Sequence, residues 1–479
     1  MIVPLLLFFA APPSVEDVET ALKRFSQLLA IVEEQAADPV NTQEALFQGA
    51  IPSMLRRLDP HSVFFDPLQY QQLKEMEKSE QKGFGTVLSI LPGRVIVLQA
   101  MPGTPSAKAG LQPGDEIIAV NNVALARLEF EQIVGFLSEA RQHQAQLIVR
   151  RPSNVRPLQF VLDPELVDAP SVDRAFLLRP DIGYVRATGF DPQTAKQLRE
   201  AIEKLGGDKL RGLVLDLRDN PGGVVQAALE IATYFLQPGQ RILSVKGRSI
   251  EEQQVDIPKT ATPYKFRLAV LMNEKTASAS EILAGALQDH DRAVIVGEPS
   301  FGKGLVQNVF TLSGDTALAL TTAFYYTPSG RSIQKPIASG QLAVEKQSQQ
   351  FHTDSGRAVT GGGGIRPDVA VQQEAQSRLR MVLEGSGIMT SFATEYTQKN
   401  RVTENFDVSP SVLEEFQVYA GQREIQPAVA DWIRERAWIQ NRLKQEIFNQ
   451  SLGVAKGDEV EAQRDPVVRT AVEQLVSGH

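Results

Sequence analysis

The sequence predicts an α/β, multidomain protein whose core is built from βαβ units around a mainly parallel sheet. Three observations carry this. At 479 residues the chain is too long for one compact core. Between Gly183 and Phe310, short apolar runs alternate with stretches of helical spacing, the pattern of strands joined by crossover helices. On either side the pattern changes: residues 15–80 and 373–479 read as helical, and a strand-rich stretch over 81–165 separates the first helices from the core.

In order along the chain, MIVPLLLFFAAPPS is an apolar run of signal-peptide length, well short of the ~20 residues of a membrane-spanning helix. It lacks a basic start, but predicts export, to a periplasmic location or with the N-terminus held at a membrane. From Val15 to Val32 the spacing of Val18, Leu22, Phe25, Leu29 and Val32 predicts an amphipathic helix. Further helices are expected over Thr42 to Leu58 and Tyr70 to Lys78. Near Lys82 short strands begin (GFGTVLSIL, RVIVLQAM), followed by a one-turn helix at Ala107 to Gly110, strand Glu116 to Val120, helix Glu129 to Arg141, and strands Gln146 to Arg150 and Leu158 to Leu162. Asp163 to Asp173 reads as a linker.

The core then predicts strand Gly183–Arg186, helix Gln193–Leu205, strand Gly212–Leu217, helix Val224–Phe235 and strand Ile242–Val245. Strand Leu268–Met272, helix Glu281–Leu287 and strand Ala293–Val296 follow. Ala317–Tyr326 reads as a strand, Gly361–Gly364 as a flexible joint and IRPDVAV as a last strand. Val429, Trp432, Ile433, Ile439, Leu443 and Ile447 mark one long amphipathic helix in the tail. That tail is expected either to mediate dimerisation or partner docking, or to pack on the core.

Composition narrows the function. The formal net charge of −8, with no dense Lys/Arg block, gives no field for a polyanion, so nucleic acid is not an expected partner. There are no cysteines, which removes thiolate catalysis and cysteine-ligated metal, and the five histidines are scattered without ligand spacing. No metal or other cofactor is expected.

The chemistry-bearing stretch runs from Leu268 to Phe310. Ser278 stands between a strand and a helix, and Ser278-Ala279-Ser280-Glu281 fits a capping box, so a purely structural role for the serine is one reading. The other makes it a nucleophile, with the Ala279 amide at the helix N-terminus free to hold an oxyanion. No histidine has an evident triad context, whereas Lys303, between two glycines and beside Phe301 and Leu305, suits the burial that turns a lysine into a base. Gly297 to Lys303 also fits the GxxxxGK part of a phosphate-binding loop, but Gly304 lacks the magnesium-binding hydroxyl and the following LVQNVFTL is strand-like. Leu217-Arg218-Asp219-Asn220-Pro221-Gly222-Gly223 is either an ordinary turn or the source of a second oxyanion donor.

Two resemblances gather these residues. The stretch over 81–165 resembles a PDZ domain: AGLQPGDEIIAVNNV matches that family's most recognisable segment, and Gly83-Phe84-Gly85 stands where the family binds a terminal carboxylate, with strand Thr86 to Ile90 available to pair with an incoming peptide. From Ser26 to about Val371 the chain resembles carboxy-terminal processing proteases, also called tail-specific proteases. GAIPSMLRRLDPHSVFF, IGYVRATGF, GLVLDLRDNPGG, TASASEILAGALQDHDRAVIVGEPSFGKGLVQ, TTAFYYTPSGRSIQ and GIRPDVAV carry that likeness in order.

The resemblance implies a βαβ protease core over 166–372 with an inserted PDZ domain, a helical N-terminal cap and a helical C-terminal extension. It implies a Ser278 nucleophile, a Lys303 base oriented by Gln307, and oxyanion donors at the amide of Ala279 and at Gly222 or Gly223. The PDZ domain, through Gly83, Phe84, Gly85 and Thr86, is implied to take a substrate's C-terminus and to gate the site. Thr276 where a serine is usual and His290 where asparagine is common are mild departures. Protein or peptide substrates and a homodimer or higher oligomer through the helical ends are the implied partners. A catalytically silent PDZ adaptor is the competing function; the presence of both Ser278 and Lys303 argues against it.

Overall fold

The computed structural model of the chain describes residues 15–76, 80–91, 93–168, 170–249, 251–336, 350–372 and 376–477. The N-terminal apolar run therefore lies outside the described residues. The chain divides into two units, a small one holding residues up to 73 with 307–322, and a large one holding most of the remainder.

In the small unit the 3.6-residue spacing produces helix Val15–Gln35, whose stripe residues Val18, Leu22, Phe25 and Val32 are all exposed. Thr42–Glu44, a six-residue π-helical stretch Ala45–Ala50 and Ile51–Leu58 form one continuous helical run. The run ends at Asp59, whose carboxylate accepts the His61 and Ser62 amides and the Ser62 hydroxyl at 2.7–2.8 Å. Strand Val63–Phe65 then pairs antiparallel with Ala317–Ala319, the start of strand Ala317–Tyr326, and Phe64 stacks on Phe47. Helix Pro67–Met76 follows, so the helix expected at Tyr70 starts earlier; its last expected residues lie outside those described.

In the large unit a six-stranded sheet runs Val172–Arg179, Ile182–Ala187, Gly212–Asp216, Arg267–Met272, Ala293–Gly297 and Val369–Ala370. All neighbours are parallel except the first pair. Side chains alternate between two cores, as the strand period demands. Leu213, Leu215, Leu268, Val270 and Met272 face helices Thr194–Leu205, Val225–Ala232 and Ala279–Asp289. Tyr184, Val214, Ala269 and Leu271 face Val467, Val468, Ala471, Val472 and Leu475 of the last helix, Pro466–Ser477. The end of the tail is thus the second cover of the sheet, the packing alternative of the sequence reading.

Asp465 secures that helix at both ends of its carboxylate. Its Oδ1 accepts the Val467 and Val468 amides at 2.8 and 3.3 Å, and its Oδ2 takes Arg218 Nη1 at 2.6 Å. Arg218 also grips buried Asp216 at the end of its strand, where Tyr184 donates its hydroxyl as well. Burial alone would ease the proton off Arg218; the two carboxylates outweigh it and raise its pKa. Asp465→Ala removes a helix cap and one partner of a largely enclosed guanidinium, and is expected to cost about 1–3 kcal/mol in denaturant unfolding, with Asp465→Asn, which keeps the cap, costing less.

The strand-rich stretch forms a sheet ordered Thr86–Leu91, Arg94–Ala100, Glu116–Val120, Ala145–Arg150, Leu158–Leu162, closed by helix Phe130–Ala140 around Val95, Val97, Ile117, Ile133 and Leu147. The one-turn helix Pro105–Ala109 is ended by Gly110 at φ 87°. This domain touches the tail through Arg94 Nη1 to Ser391 Oγ at 2.7 Å and the Val454 amide to Gln99 Oε1 at 3.4 Å. The expected long tail helix is Val429–Ser451, packed with Ile388–Lys399 and Pro410–Gly421.

Four expectations are corrected. The linker Asp163 to Asp173 contains strand Glu165–Asp168, which returns to pair with Glu80–Gly83, and ends in the edge strand Val172–Arg179. Alternating polar and apolar residues on these short segments were hidden by Pro164 and Pro170. Strand Arg241–Lys246 is outside the parallel sheet; it pairs antiparallel with Gln253–Asp256 and with Phe324–Tyr326. Gly361–Gly364 is not a free joint: the Gly362 and Gly364 amides donate to Ser332 O and Ile333 O at 2.7 and 2.9 Å, and Gly364, at φ 77°, passes too close to Ser300 to carry a Cβ. Within the stretch read as loop from Thr327 to Gln350, the described part 327–336 is locked by Arg331, fully buried on Asp289 and Gln288.

Candidate active site

Strand Arg267–Met272 ends at the C-terminal edge of the parallel sheet, where open α/β sheets place their ligand crevices. The chain turns through Asn273, whose side chain accepts the Asp219 amide at 3.0 Å, and Thr276, whose hydroxyl donates to Leu217 O at 2.8 Å. These bonds seat the turn on the neighbouring Leu217–Gly223 loop. Ser278 follows at φ 56° and ψ −118°, a conformation that costs a non-glycine residue about 1–3 kcal/mol and persists only where the surroundings impose it. It is half-buried and immediately precedes helix Ala279–Asp289, which is buried along its whole length.

What imposes the turn is Glu281. The capping-box geometry is present in its reciprocal bond: Glu281 Oε2 accepts the Ser278 amide at 2.9 Å. The same oxygen accepts the Lys303 amide at 2.8 Å, while Oε1 accepts the Gly302 amide at 2.7 Å and the Ser300 hydroxyl at 2.5 Å. One fully buried carboxylate therefore ties the serine's turn to the lysine's loop. Burial raises the Glu281 pKa, against the pull of these four donors. The sequence offered Glu281 only as a cap; its second partner set lies about twenty residues on and carries no local signature.

Lys303 is half-buried, and burial lowers its pKa while the Glu281 charge opposes the shift. The chain after it is strand Leu305–Thr311, not a helix, so the phosphate-loop reading is overturned. His290 is occupied elsewhere, with Nδ1 at 2.7 Å from Asp354 and Nε2 at 2.7 Å from Arg241 O. Gln307 belongs to the small unit, where its side-chain amide donates to His61 O at 2.7 Å.

The loop Leu217–Gly223 is shaped by Asn220, a fully buried residue the sequence reading passed over. Its Nδ2 donates to Ala187 O, its Oδ1 accepts the Gly222 amide at 2.9 Å, and its carbonyl accepts the Ala277 amide at 3.0 Å. Gly222 (φ 95°) lies against the serine turn: a Cβ there would stand 2.9 Å from Ser278 Cβ and from the Ala279 amide nitrogen. A Cβ on Gly223 (φ 134°) would come closer still, against Phe190 O. Among the described residues, the Gly223 and Ala279 amides donate to no protein group, whereas that of Gly222 is taken.

In the strand-rich domain, Gly83 closes the ribbon with Glu165, and the Phe84 and Gly85 carbonyls turn inward. Ser106 donates to Phe84 O and the Met101 amide to Gly85 O at 2.8 Å. Gly85, at φ 69°, is pressed against Thr104, leaving no room for a side chain. Among the described residues Thr86–Leu91 is an edge strand, paired only on its Arg94–Ala100 side, which leaves its other edge without a strand partner there. Among the described residues no acidic, histidine or cysteine cluster is grouped to hold a metal, and no helix is long and apolar enough to cross a membrane.

An α/β sheet with a strained serine turn at its C-terminal edge, carrying an inserted domain with an open edge strand, defines a hydrolase class. Comparison with known proteins specifies it. Residues 181–341 match peptidase family S41 and residues 96–151 match the PDZ domain. The carboxy-terminal-processing protease of Bartonella bacilliformis is 35% identical over 360 residues, covering 74% of this chain and 82% of that one. The carboxyl-terminal-processing protease of Synechocystis sp. is 34% identical over 303 residues, 62% of this chain and 70% of that one. A chloroplastic carboxyl-terminal-processing peptidase of Arabidopsis thaliana is 35% identical, with 62% and 60% covered. Among solved structures, the photosystem II D1 C-terminal processing protease aligns over 74% of this chain and 88% of that one, at 27% identity and a TM-score of 0.40. The chain belongs to the carboxy-terminal processing protease family, peptidases of family S41 with a PDZ domain.

Proposed function

We propose that this protein is an exported serine endopeptidase that trims or degrades proteins from their C-termini, with Ser278 as nucleophile and Lys303 as general base. The observation that carries the reading is the single Glu281 oxygen that accepts both the Ser278 and Lys303 amides. Half-burial lowers the lysine's pKa, favouring the neutral amine that accepts the hydroxyl proton.

The steps follow from that pairing. Neutral Lys303 takes the Ser278 proton as the oxygen attacks a peptide carbonyl, and the resulting ammonium returns a proton to the leaving amine. Water, deprotonated by the same lysine, then releases the acyl group. The oxyanion rests on the Ala279 amide at the helix N-terminus and on that of Gly223; the Gly222 amide is already engaged by Asn220.

The PDZ domain takes the substrate's terminal carboxylate at Gly83-Phe84-Gly85 and adds the peptide as a strand beside Thr86–Leu91, gating access to Ser278. The inward-turned Phe84 and Gly85 carbonyls and the open strand edge support this. The apolar stripe exposed along Val15–Gln35 supports self-association through the N-terminal helices. The apolar N-terminal run and the chloroplastic location named for the Arabidopsis relative support export.

One experiment tests the core of this reading. A protein substrate with a free C-terminal tail and a short internally quenched peptide are offered to wild type, Ser278→Ala and Gly83→Val. Ser278→Ala is expected to cleave neither. Gly83 has open space for a Cβ, so Gly83→Val keeps its fold while its branches crowd the carboxylate loop; it is expected to slow tail cleavage tenfold or more and to spare the short peptide. Full activity of Ser278→Ala overturns the nucleophile, and equal slowing of both substrates overturns the PDZ role.

A further inference from the structure

We infer that Gln334 is a positioning residue for the general base, holding the Lys303 loop through the Gly304 amide. This rests on the reading of Lys303 as the base.

The Lys303 loop has two sets of backbone anchors. Glu281 receives the Gly302 and Lys303 amides. The segment Ile333–Lys335 supplies the second set, and there the next amide, that of Gly304, donates to Gln334 Oε1 at 2.9 Å. The carbonyls are gripped too. The Lys335 amide donates to Gly302 O at 3.0 Å, and the Tyr325 amide to Gly304 O at 2.8 Å. Gln334 is nearly fully buried (3% exposed), so its amide has no water to satisfy it. Its Nε2 is turned back onto Lys335 O at 2.8 Å, which fixes the direction in which Oε1 points.

The fit admits little slack. A Cβ on Gly304 would stand 2.9 Å from the Gln334 amide nitrogen and 2.9 Å from Ile333 Cγ1, so the two backbones run in direct contact. The Gln334 segment is itself anchored, since Ile333 O accepts the Gly364 amide at 2.9 Å and Ser332 O the Gly362 amide at 2.7 Å. The glycine run Gly361–Gly364 thus serves as a floor under Gln334. Lys303 is the one residue of 302–304 whose side chain must reach out of this clamp, and with both neighbours fixed its stem leaves in one direction. A base misplaced by about 1 Å loses on the order of 10²-fold in rate. Gln334 touches neither nucleophile nor substrate in this scheme and acts only through the Gly304 amide.

The test is a double-mutant cycle on the reaction of Ser278 with a serine-directed phosphonylating probe, run with kcat and KM on a short peptide. Gln334→Met keeps length and volume while removing both hydrogen bonds. It is expected to lower kcat 10- to 100-fold with KM changed less than twofold, and to slow phosphonylation by a similar factor. A loosened loop also gives the amine more water, so the acid limb of kcat/KM is expected to move to higher pH. In a Lys303→Ala background the same replacement is expected to change phosphonylation less than twofold, because a positioning residue has nothing left to position. Further slowing in that background, or a wild-type pH profile in Gln334→Met, overturns the proposal. Should Gln334→Met melt below the assay temperature, Gln334→Asn, which stays polar but falls short of Gly304, replaces it in the same cycle. Full reactivity of Lys303→Ala alone would instead overturn the lysine's role, an outcome separate from any effect of Gln334.

Discussion

Lys303→Met is expected to lower kcat/KM on the order of 10⁴-fold or more while leaving the protein folded. Methionine keeps most of the half-buried lysine stem and removes only the amine proposed to accept the Ser278 proton. In the proposed mechanism the neutral amine is the active form, so wild-type kcat/KM should rise with pH through the Lys303 pKa. Burial sets that value below the ordinary lysine value of about 10.4, with Glu281 holding it up. The variant's residual activity should lose that limb. Stability carries a second mark of the same shift, with the same sign. A lysine whose folded pKa is depressed binds fewer protons folded than unfolded across the window between the two values. Wild-type stability therefore climbs as pH rises through that window and is lowest on its acid side. Lys303→Met removes this dependence, so at neutral pH its unfolding midpoint should equal or exceed that of wild type. Measuring unfolding midpoints and kcat/KM over the same pH series checks both signs, and wild-type rates in the variant would end the assignment of Lys303 as base.

Much of this architecture was legible because it is local. The apolar strands Gly212–Asp216 and Arg267–Met272 are buried on both faces, so they read as short unbroken runs between helices of clear spacing. The turn serine was legible through Glu281 three residues on, and the inserted domain through GLQPGDEI. What stayed hidden is non-local. Glu281 was read as a cap because its bond to Ser278 is within three residues, whereas its bonds to Gly302 and Lys303 depend on how strand Ala293–Gly297 returns the chain. Asn220 looked like a turn residue, since nothing local says that its side chain will occupy the Gly222 amide. Gly361–Gly364 looked loose for the reason glycine always does: the sequence states the freedom of the backbone, not the Ser300 and Ser332 contacts that remove it. The tail's last helix gave no sign of its place, because an apolar stripe such as Val467, Val468, Ala471 and Leu475 fits any apolar surface.

Gly222→Ala is expected to damage activity more than stability, and the contrast with a second glycine isolates why. At Gly222 the backbone stands at φ 95°, and a methyl group would lie 2.7 Å from Ala277 O, 2.9 Å from the Ala279 amide nitrogen and 2.9 Å from Ser278 Cβ. All three neighbours belong to the serine turn, and two are backbone atoms that no rotamer change can clear. Relief must come from moving the two loops apart. That shifts the Ala279 amide and Ser278 together, while Glu281 still holds the far side of the turn on Lys303. A displacement of this size at the proposed oxyanion donors is expected to cost on the order of 10²–10³-fold in kcat. Gly239→Ala is the matched control: its φ of 84° is equally unfavourable for alanine, yet nothing lies within 4 Å of the added methyl. It should lose about 1 kcal/mol or more to backbone strain and keep its kcat. If both variants lose activity in proportion to their stability, the Gly222 contact is structural only. If Gly222→Ala alone loses kcat at temperatures where both are folded, the approach of the two loops belongs to the catalytic geometry.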